Sequence, residues 1–235
     1  MRVGRSGVTA WDSRSRRVSE VMSTGIRGTD HPSRAFVRNW LRQNPGLTML
    51  DIPCGPGIEY EGIRSEGLDV TYIGMDLTQS MLDLFRRRYP EADVRAGNIL
   101  DIPLPDRSVD VVLCRHVLEH LEDYHPAVVE AVRVARKRVF LVLFLTPTHR
   151  VVRRTGKGLW INRLEWRELE GFIRVMRFQY GATQLPYDVP AHQLPSNIEE
   201  NVVIEIRVDQ PVDSWEGVVA DPHYVPACRA SPGSG

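Results

Sequence analysis

The run VFLVLFL, residues 139–145, is the most apolar stretch of the chain. It carries no polar alternation, so both of its faces must be covered. A run this short that is apolar on both sides reads as a buried strand of a parallel sheet. LTMLDI (47–52), VTYIGM (70–75) and VDVVLC (109–114) have the same character, and residues 92–96 read as a shorter strand. Between these runs lie helical patterns. Residues 32–43 place Ala35, Phe36, Val37, Trp40 and Leu41 on one side, and Pro45-Gly46 stops them. Residues 58–66 form a second helix closed by Gly67. A third starts after Thr78, carries Met81, Leu82, Phe85 and Tyr89, and ends before Pro90. A fourth spans 126–136. Strand and helix in alternation predict an α/β fold, a mostly parallel sheet with helices on both faces.

Late in the chain the rhythm changes. A helix is expected at 165–173, and strands at 175–180 and 202–208 are separated by a Pro-rich excursion, which favours antiparallel pairing. Residues 1–30, rich in Ser, Arg and Gly, read as a flexible arm with a short helix at 18–22. The Pro-, Gly- and Ser-rich stretch 211–235 reads as a poorly ordered tail.

The 235 residues fit one decorated domain. Thirty basic residues balance thirty acidic ones, so no global charge draws the chain to nucleic acid or an anionic membrane. Arg150, Arg153, Arg154 and Lys157 form a local basic loop whose plain reading is a solvated surface. The three cysteines have neither zinc-ligand spacing nor the number for a disulfide scaffold, which predicts no metal and a reducing, cytoplasmic setting. No apolar run reaches the ~20 residues that span a bilayer. The basic N-terminus lacks the apolar core of a secretory signal.

The stretch LDIPCGPG, residues 50–57, ends the first strand in a glycine loop. In open α/β sheets ligands bind at the carboxyl ends of the strands. Gly55 and Gly57 have no Cβ, so a ligand can approach their backbone closely. Asp76 ends the second strand, where a carboxylate can accept from two ribose hydroxyls. To this point a nicotinamide cofactor fits equally well.

The segment VRAGNILDIPLPDRSVDVVLCRHVLEHL, residues 94–121, decides between the two. With LDIPCGPG and Asp76 it resembles the class I S-adenosylmethionine-dependent methyltransferases. The shared positions are Gly97-Asn98, Ile102-Pro103-Leu104, Asp106, Ser108-Val109-Asp110 and Val117-Leu118-Glu119-His120. The resemblance covers residues 47–146 and implies a Rossmann-like, seven-stranded sheet whose last strand is antiparallel. It implies a methyltransferase domain over 31–210, with a cofactor half at 47–146 and substrate-side elements at 147–201. The arm 1–30 would then be a lid.

Carried over by position, the backbone of Pro53, Cys54, Gly55 and Gly57 would pass under the methionine and ribose of S-adenosyl-L-methionine. Asp51 would meet the methionine amino group, and Asp76 the ribose. Met75 and Leu77 would flank the adenine. Asn98 would accept from the adenine amino group through its side-chain carbonyl, and Ile99 would offer its backbone N–H. Cys114 and Arg115 would lie beside the methionine end. His116 is the candidate general base and His31 the second candidate. Pro53 and Ile58 replace glycines of the family pattern, and Arg136-Lys137-Arg138 replaces its usual K-P-G-G turn. The resemblance implies methyl transfer to an O, N or C nucleophile of a small molecule, by a monomer or homodimer. Transfer to RNA or protein, favoured by the basic loop, and a non-catalytic cofactor-binding scaffold are the alternatives.

Overall fold

The computed structural model describes Thr29 and residues 31–146, 151–154, 160–176, 178–184 and 201–211. Its strands are β1 (Leu47–Asp51), β2 (Val70–Asp76), β3 (Asp93–Ala96), β4 (Val109–Arg115), β5 (Ala135–Thr146), β6 (Val151–Arg154), β7 (Trp160–Glu165), β8 (Phe178–Gln184) and β9 (Asn201–Pro211). The helices are α1 (Pro32–Gln43), α2 (Ile58–Ser65), α3 (Gln79–Arg88), α4 (His125–Val134) and α5 (Trp166–Val175).

β1 to β5 are parallel and lie in the order β3-β2-β1-β4-β5. β9 pairs antiparallel with β5, from Arg138↔Arg207 to Phe144↔Asn201, and β8 pairs antiparallel with β9. The chain runs outward from β1 to β3 and returns to β4, so strand order reverses between β1 and β4. Ligands bind at such a reversal, beyond the carboxyl ends of the strands.

The continuous apolar runs are explained by two cores. Leu50, Val112, Cys114, Val139, Leu141 and Leu143 face one side, packed with Val128, Ala131 and Leu169 of α4 and α5. Met49, Val111, Leu113, Phe140 and Val142 face the other, with Val37, Leu41, Ile63, Leu82 and Phe85 of α1 to α3. Successive residues of each strand therefore serve opposite cores. Phe36 and Trp40 clamp α1 edge-on to Phe140, with ring centroids 6.4 and 5.4 Å away.

The structure differs from the sequence reading in three places. Within the expected basic loop, Val151–Arg154 is a strand: β6 and β7 pair antiparallel, and β7 joins the end of β5 at Leu145↔Leu164 and Thr146↔Glu165. The described residues thus hold nine strands rather than seven. β-Branched Val151, Val152 and Ile161 suit a strand better than the basic composition suggested. Second, α4 ends at Val134 and β5 begins directly at Ala135, which is already extended (φ −78°, ψ 141°). No glycine turn is needed, because Arg136 is pinned to Asp110 of β4 at 3.1 and 3.2 Å. Third, Val175 closes α5 and the next strand starts only at Phe178. The arm 1–30 (apart from Thr29), residues 185–200 of the excursion 181–201, and the tail beyond Pro211 lie outside the described residues.

Candidate functional site

The glycine loop leaves β1 at the reversal point and is tied to the end of β2. Cys54 N–H donates to the Met75 carbonyl at 2.8 Å. Gly55 N–H donates to Asp76 Oδ2 at 3.0 Å, and Thr78 N–H to Asp76 Oδ1 at 2.8 Å. Thr78 occupies the N-cap position of α3 without a side-chain capping bond. Burial pushes the Asp76 carboxyl up, while the bonds from Thr78 and Gly55 draw it back. Asp76 therefore organises the loop from the position where a ribose would arrive.

The two loop glycines do different work. Both have positive φ, 54° at Gly55 and 89° at Gly57. A Cβ on Gly57 would meet the Phe85 ring at 2.8 Å, so that glycine is required by packing. A Cβ on Gly55 would meet nothing within 4 Å. Gly55 thus borders open space at the carboxyl edge, a cradle that a side chain would fill. Beyond Asp76, Leu77 is 40% exposed between two buried residues, an apolar surface suited to a flat ring. These features fit S-adenosylmethionine: room against a glycine backbone, a carboxylate at the ribose position and an apolar side chain beside it.

Other expected positions are less simple. Met75 is buried in the core, its thioether packed where Gly97 lacks a side chain, so it backs the site rather than lining it. Ile99 is also a core residue. Asn98 Oδ1 accepts from Leu100 N–H at 3.0 Å, which shapes the loop after β3. That loop is held from α4: Arg133 donates to the Ile102 and Leu104 carbonyls, both at 2.9 Å. Cys54 and Cys114 are buried thiols. Burial first, and Asp51 second, push both pKa values up, which removes them as nucleophiles.

Asp51 is 3% exposed and accepts from Tyr72 Oη at 2.7 Å. Burial first and Glu59 second push it up to about 7, against the Tyr72 bond and the charges of Arg34 and Arg115. Asp51 caps no helix.

His116 follows β4 with φ 49°, a left-handed conformation held by its N–H bond to the Val142 carbonyl at 2.7 Å. Its Nδ1 lies 3.3 Å from Oε1 of Glu119, which is 4% exposed. Glu119 sits in a 3-10 turn, Leu118–His120. β7 steadies that turn: His120 Nδ1 meets the Trp160 carbonyl at 3.2 Å, and the Asn162 amide donates to the Leu121 carbonyl. A histidine in a sparsely populated backbone region beside a buried carboxylate is an arrangement suited to proton transfer. His31 occupies the N-cap of α1, where Nδ1 accepts Ser33 N–H at 3.2 Å.

Sequence reasoning expected Arg115 at the methionine end but missed the rest of the polar group beneath α1. Ser33, Arg38 and Glu59 are buried together beside Arg115, with Arg34 bonded to Glu59 Oε2 at 2.6 Å. The signal was the spacing of Arg34 and Arg38 beside the buried stripe Val37 and Leu41, which places two arginines against a core.

Residues 50–143 match the family described as Methyltransferase domain. The chain is 39% identical over 125 residues to a probable S-adenosylmethionine-dependent methyltransferase of Mycolicibacterium smegmatis, covering 53% of this chain and 47% of the relative. It is 33% identical over 106 residues to the demethylmenaquinone methyltransferase of Renibacterium salmoninarum, covering 44% of each. The chain thus spans about half the length of these curated relatives. The crystal structure of Burkholderia thailandensis 1,6-didemethyltoxoflavin-N1-methyltransferase, with bound 1,6-didemethyltoxoflavin and S-adenosylhomocysteine, superposes with a TM-score of 0.64. The identity is 16%, over 85% of this chain and 84% of that one. Strand order, glycine loop, Asp76 and these likenesses agree: residues 50–143 match the methyltransferase domain family, and the chain has the Rossmann-like fold of the S-adenosylmethionine-dependent methyltransferases it resembles.

Proposed function

We propose that this chain transfers a methyl group from S-adenosyl-L-methionine to an O, N or C nucleophile of a small molecule. The observation that carries the reading is the Gly55 backbone, open on its free side and bonded to Asp76 at the strand-order reversal. The name of the demethylmenaquinone relative, a small-molecule methyltransferase, supports the acceptor class. When bound, the cofactor supplies a methyl group already activated on a sulfonium. What the chain must add is alignment and exclusion of water, and orientation of this kind is worth roughly 7–11 kcal/mol. Asp51 meets the amino end, Asp76 the ribose, Leu77 and Asn98 the base. His116, paired with Glu119, takes a proton from an acceptor hydroxyl or acidic carbon, with His31 the second candidate. The domain runs over 31–210, with the elements after β5 on the acceptor side.

Incubation with methyl-labelled cofactor and a metabolite extract tests the reading. Label is expected in a small-molecule fraction. Label confined to RNA or protein overturns the acceptor class, and no incorporation overturns the activity.

A further inference from the structure

Arg115 ends β4 at the carboxyl edge, beside the reversal point, with its side chain 9% exposed. Among the described residues its one hydrogen bond is to a neutral group: Nη1 donates to Ser33 Oγ at 2.5 Å. Nε and Nη2 have no partner. These two nitrogens form the side-on fork that takes a carboxylate in bidentate fashion. The nearest acid is already engaged. Glu59 Oε2 is 3.8 Å from Arg115 Nη2, outside hydrogen-bond range, because Arg34 holds that oxygen at 2.6 Å. Arg38 in turn is drawn off by Glu66, whose Oε1 meets its Nε at 2.6 Å. Three guanidinium groups therefore converge on one fully buried carboxylate.

A second observation points the same way. The 12-residue helix α1 directs its N-terminus at Arg115 through Ser33, and its first turn contains no acidic residue. Such an end carries partial positive charge and favours an anion. A buried charge without a bonded counter-charge is costly, and the cost is recovered when a ligand brings the missing acid.

We propose that Arg115, under the first turn of α1, is a recognition site for a ligand carboxylate. The acid takes the Nε–Nη2 edge, and the first turn of α1, held to Arg115 by the single Ser33 bond, shifts to admit it. The α1 half of the site lies outside residues 50–143. Two sources share this chemistry, the amino-acid end of the cofactor and an acid group on the acceptor. The inference rests on the proposed methyl transfer only for the first source.

The test uses calorimetry on the full chain. S-Adenosylhomocysteine is compared with its decarboxylated analogue, which keeps the amine and thioether. If the cofactor's acid is the group, wild type prefers the acid form by about tenfold or more, as expected for a charge-assisted pair. Arg115→Met abolishes that preference and Arg115→Lys restores part of it. Hydrogen exchange at Ser33 to Ala35 changes with the acid form alone. If the acceptor's acid is the group, the two nucleosides bind equally. Protein saturated with S-adenosylhomocysteine then binds benzoate over benzamide, and Arg115→Met loses this. Wild type with neither preference overturns the site without recourse to a variant, and a folded Arg115→Met that keeps either preference overturns it too. Failure of both nucleosides to bind defeats the methyl-transfer reading separately. The benzoate–benzamide comparison on unliganded protein then decides the site.

Discussion

Tyr72 of β2 donates a 2.7 Å hydrogen bond to Asp51 of the neighbouring β1, with both groups out of solvent. Burial first and Asp51 second push the tyrosine hydroxyl's own pKa well up, so it remains a donor across the working range. Tyr72→Phe removes one donor from a buried carboxylate. It should cost about 1–3 kcal/mol at pH 8, where Asp51 is ionised, and less at pH 5, where it is protonated. Urea unfolding at the two pH values checks this.

Asp51 also sets a pH dependence for the whole domain. Its carboxyl titrates near 7 when folded and near 3.8 otherwise. The native state therefore holds an extra proton between those values. Stability from this group is present below about pH 4 and is lost as pH rises toward 7, by up to about 4 kcal/mol. Asp51→Asn should flatten that part of the curve. In the same window, binding of an ammonium group beside Asp51 should release a proton. S-Adenosylhomocysteine should then bind more tightly at pH 8 than at pH 6, and calorimetry in buffers of different ionisation enthalpy should count the proton.

Gly55 and Gly57 should separate cleanly on substitution. Gly57→Ala drives a methyl into the Phe85 ring and strains φ at 89°, and should cost at least about 2 kcal/mol of stability. Gly55→Ala meets no neighbour and should cost only about 1 kcal/mol, while blocking the face where we propose that the cofactor lies. Thermal melts and nucleoside titrations on the two variants should show opposite rankings.

Asp76→Ala should weaken S-adenosylhomocysteine binding by about 1–3 kcal/mol. It also strands the Gly55 and Thr78 N–H groups. Asp76→Asn, which keeps one acceptor oxygen, should fall between wild type and alanine in a calorimetric titration.

His116→Gly removes the imidazole and relieves a left-handed backbone at once. Stability should hold or rise by about 1 kcal/mol, while methyl transfer should fall by roughly 10²–10⁴-fold. A variant with near-normal turnover at neutral pH would return the proton-transfer role to His31 or to proximity alone.

The core sheet was legible because its code is local. VFLVLFL and VDVVLC are apolar on consecutive residues, and only a strand packed on both faces needs that. LDIPCGPG and Asp76 were legible because a close backbone approach restricts residue type. Less could be read where tertiary pairing decides. Arg153 and Arg154 look like solvated surface, yet their backbone pairs with Ile161 and Trp160. Met75 and Leu77 look equivalent around Asp76, but Met75 lies inside β2 and is buried, while Leu77 lies just past the strand's end and is exposed. The partners of Arg34 and Arg38 were illegible for a related reason. Nothing within PSRAFVRNWLRQ says which acids of α2 will face it.

β5 changes partners near its end: Phe144 pairs with Asn201 of β9, and the next residue pairs with Leu164 of β7. That switch makes the last turn of β5 a graft point. β7 joins β5 through only two register pairs, and its other described ties are the bonds of Trp160 and Asn162 to the 3-10 turn and the burial of Leu164 in the core. Lengthening or replacing the insert adds little chain entropy, about 0.6 kcal/mol for each doubling of a flexible loop. An engineer could exchange β6 for a strand of different length, keeping Trp160, Asn162 and Leu164 of β7, and so reshape what we propose as the acceptor side without re-registering a central strand.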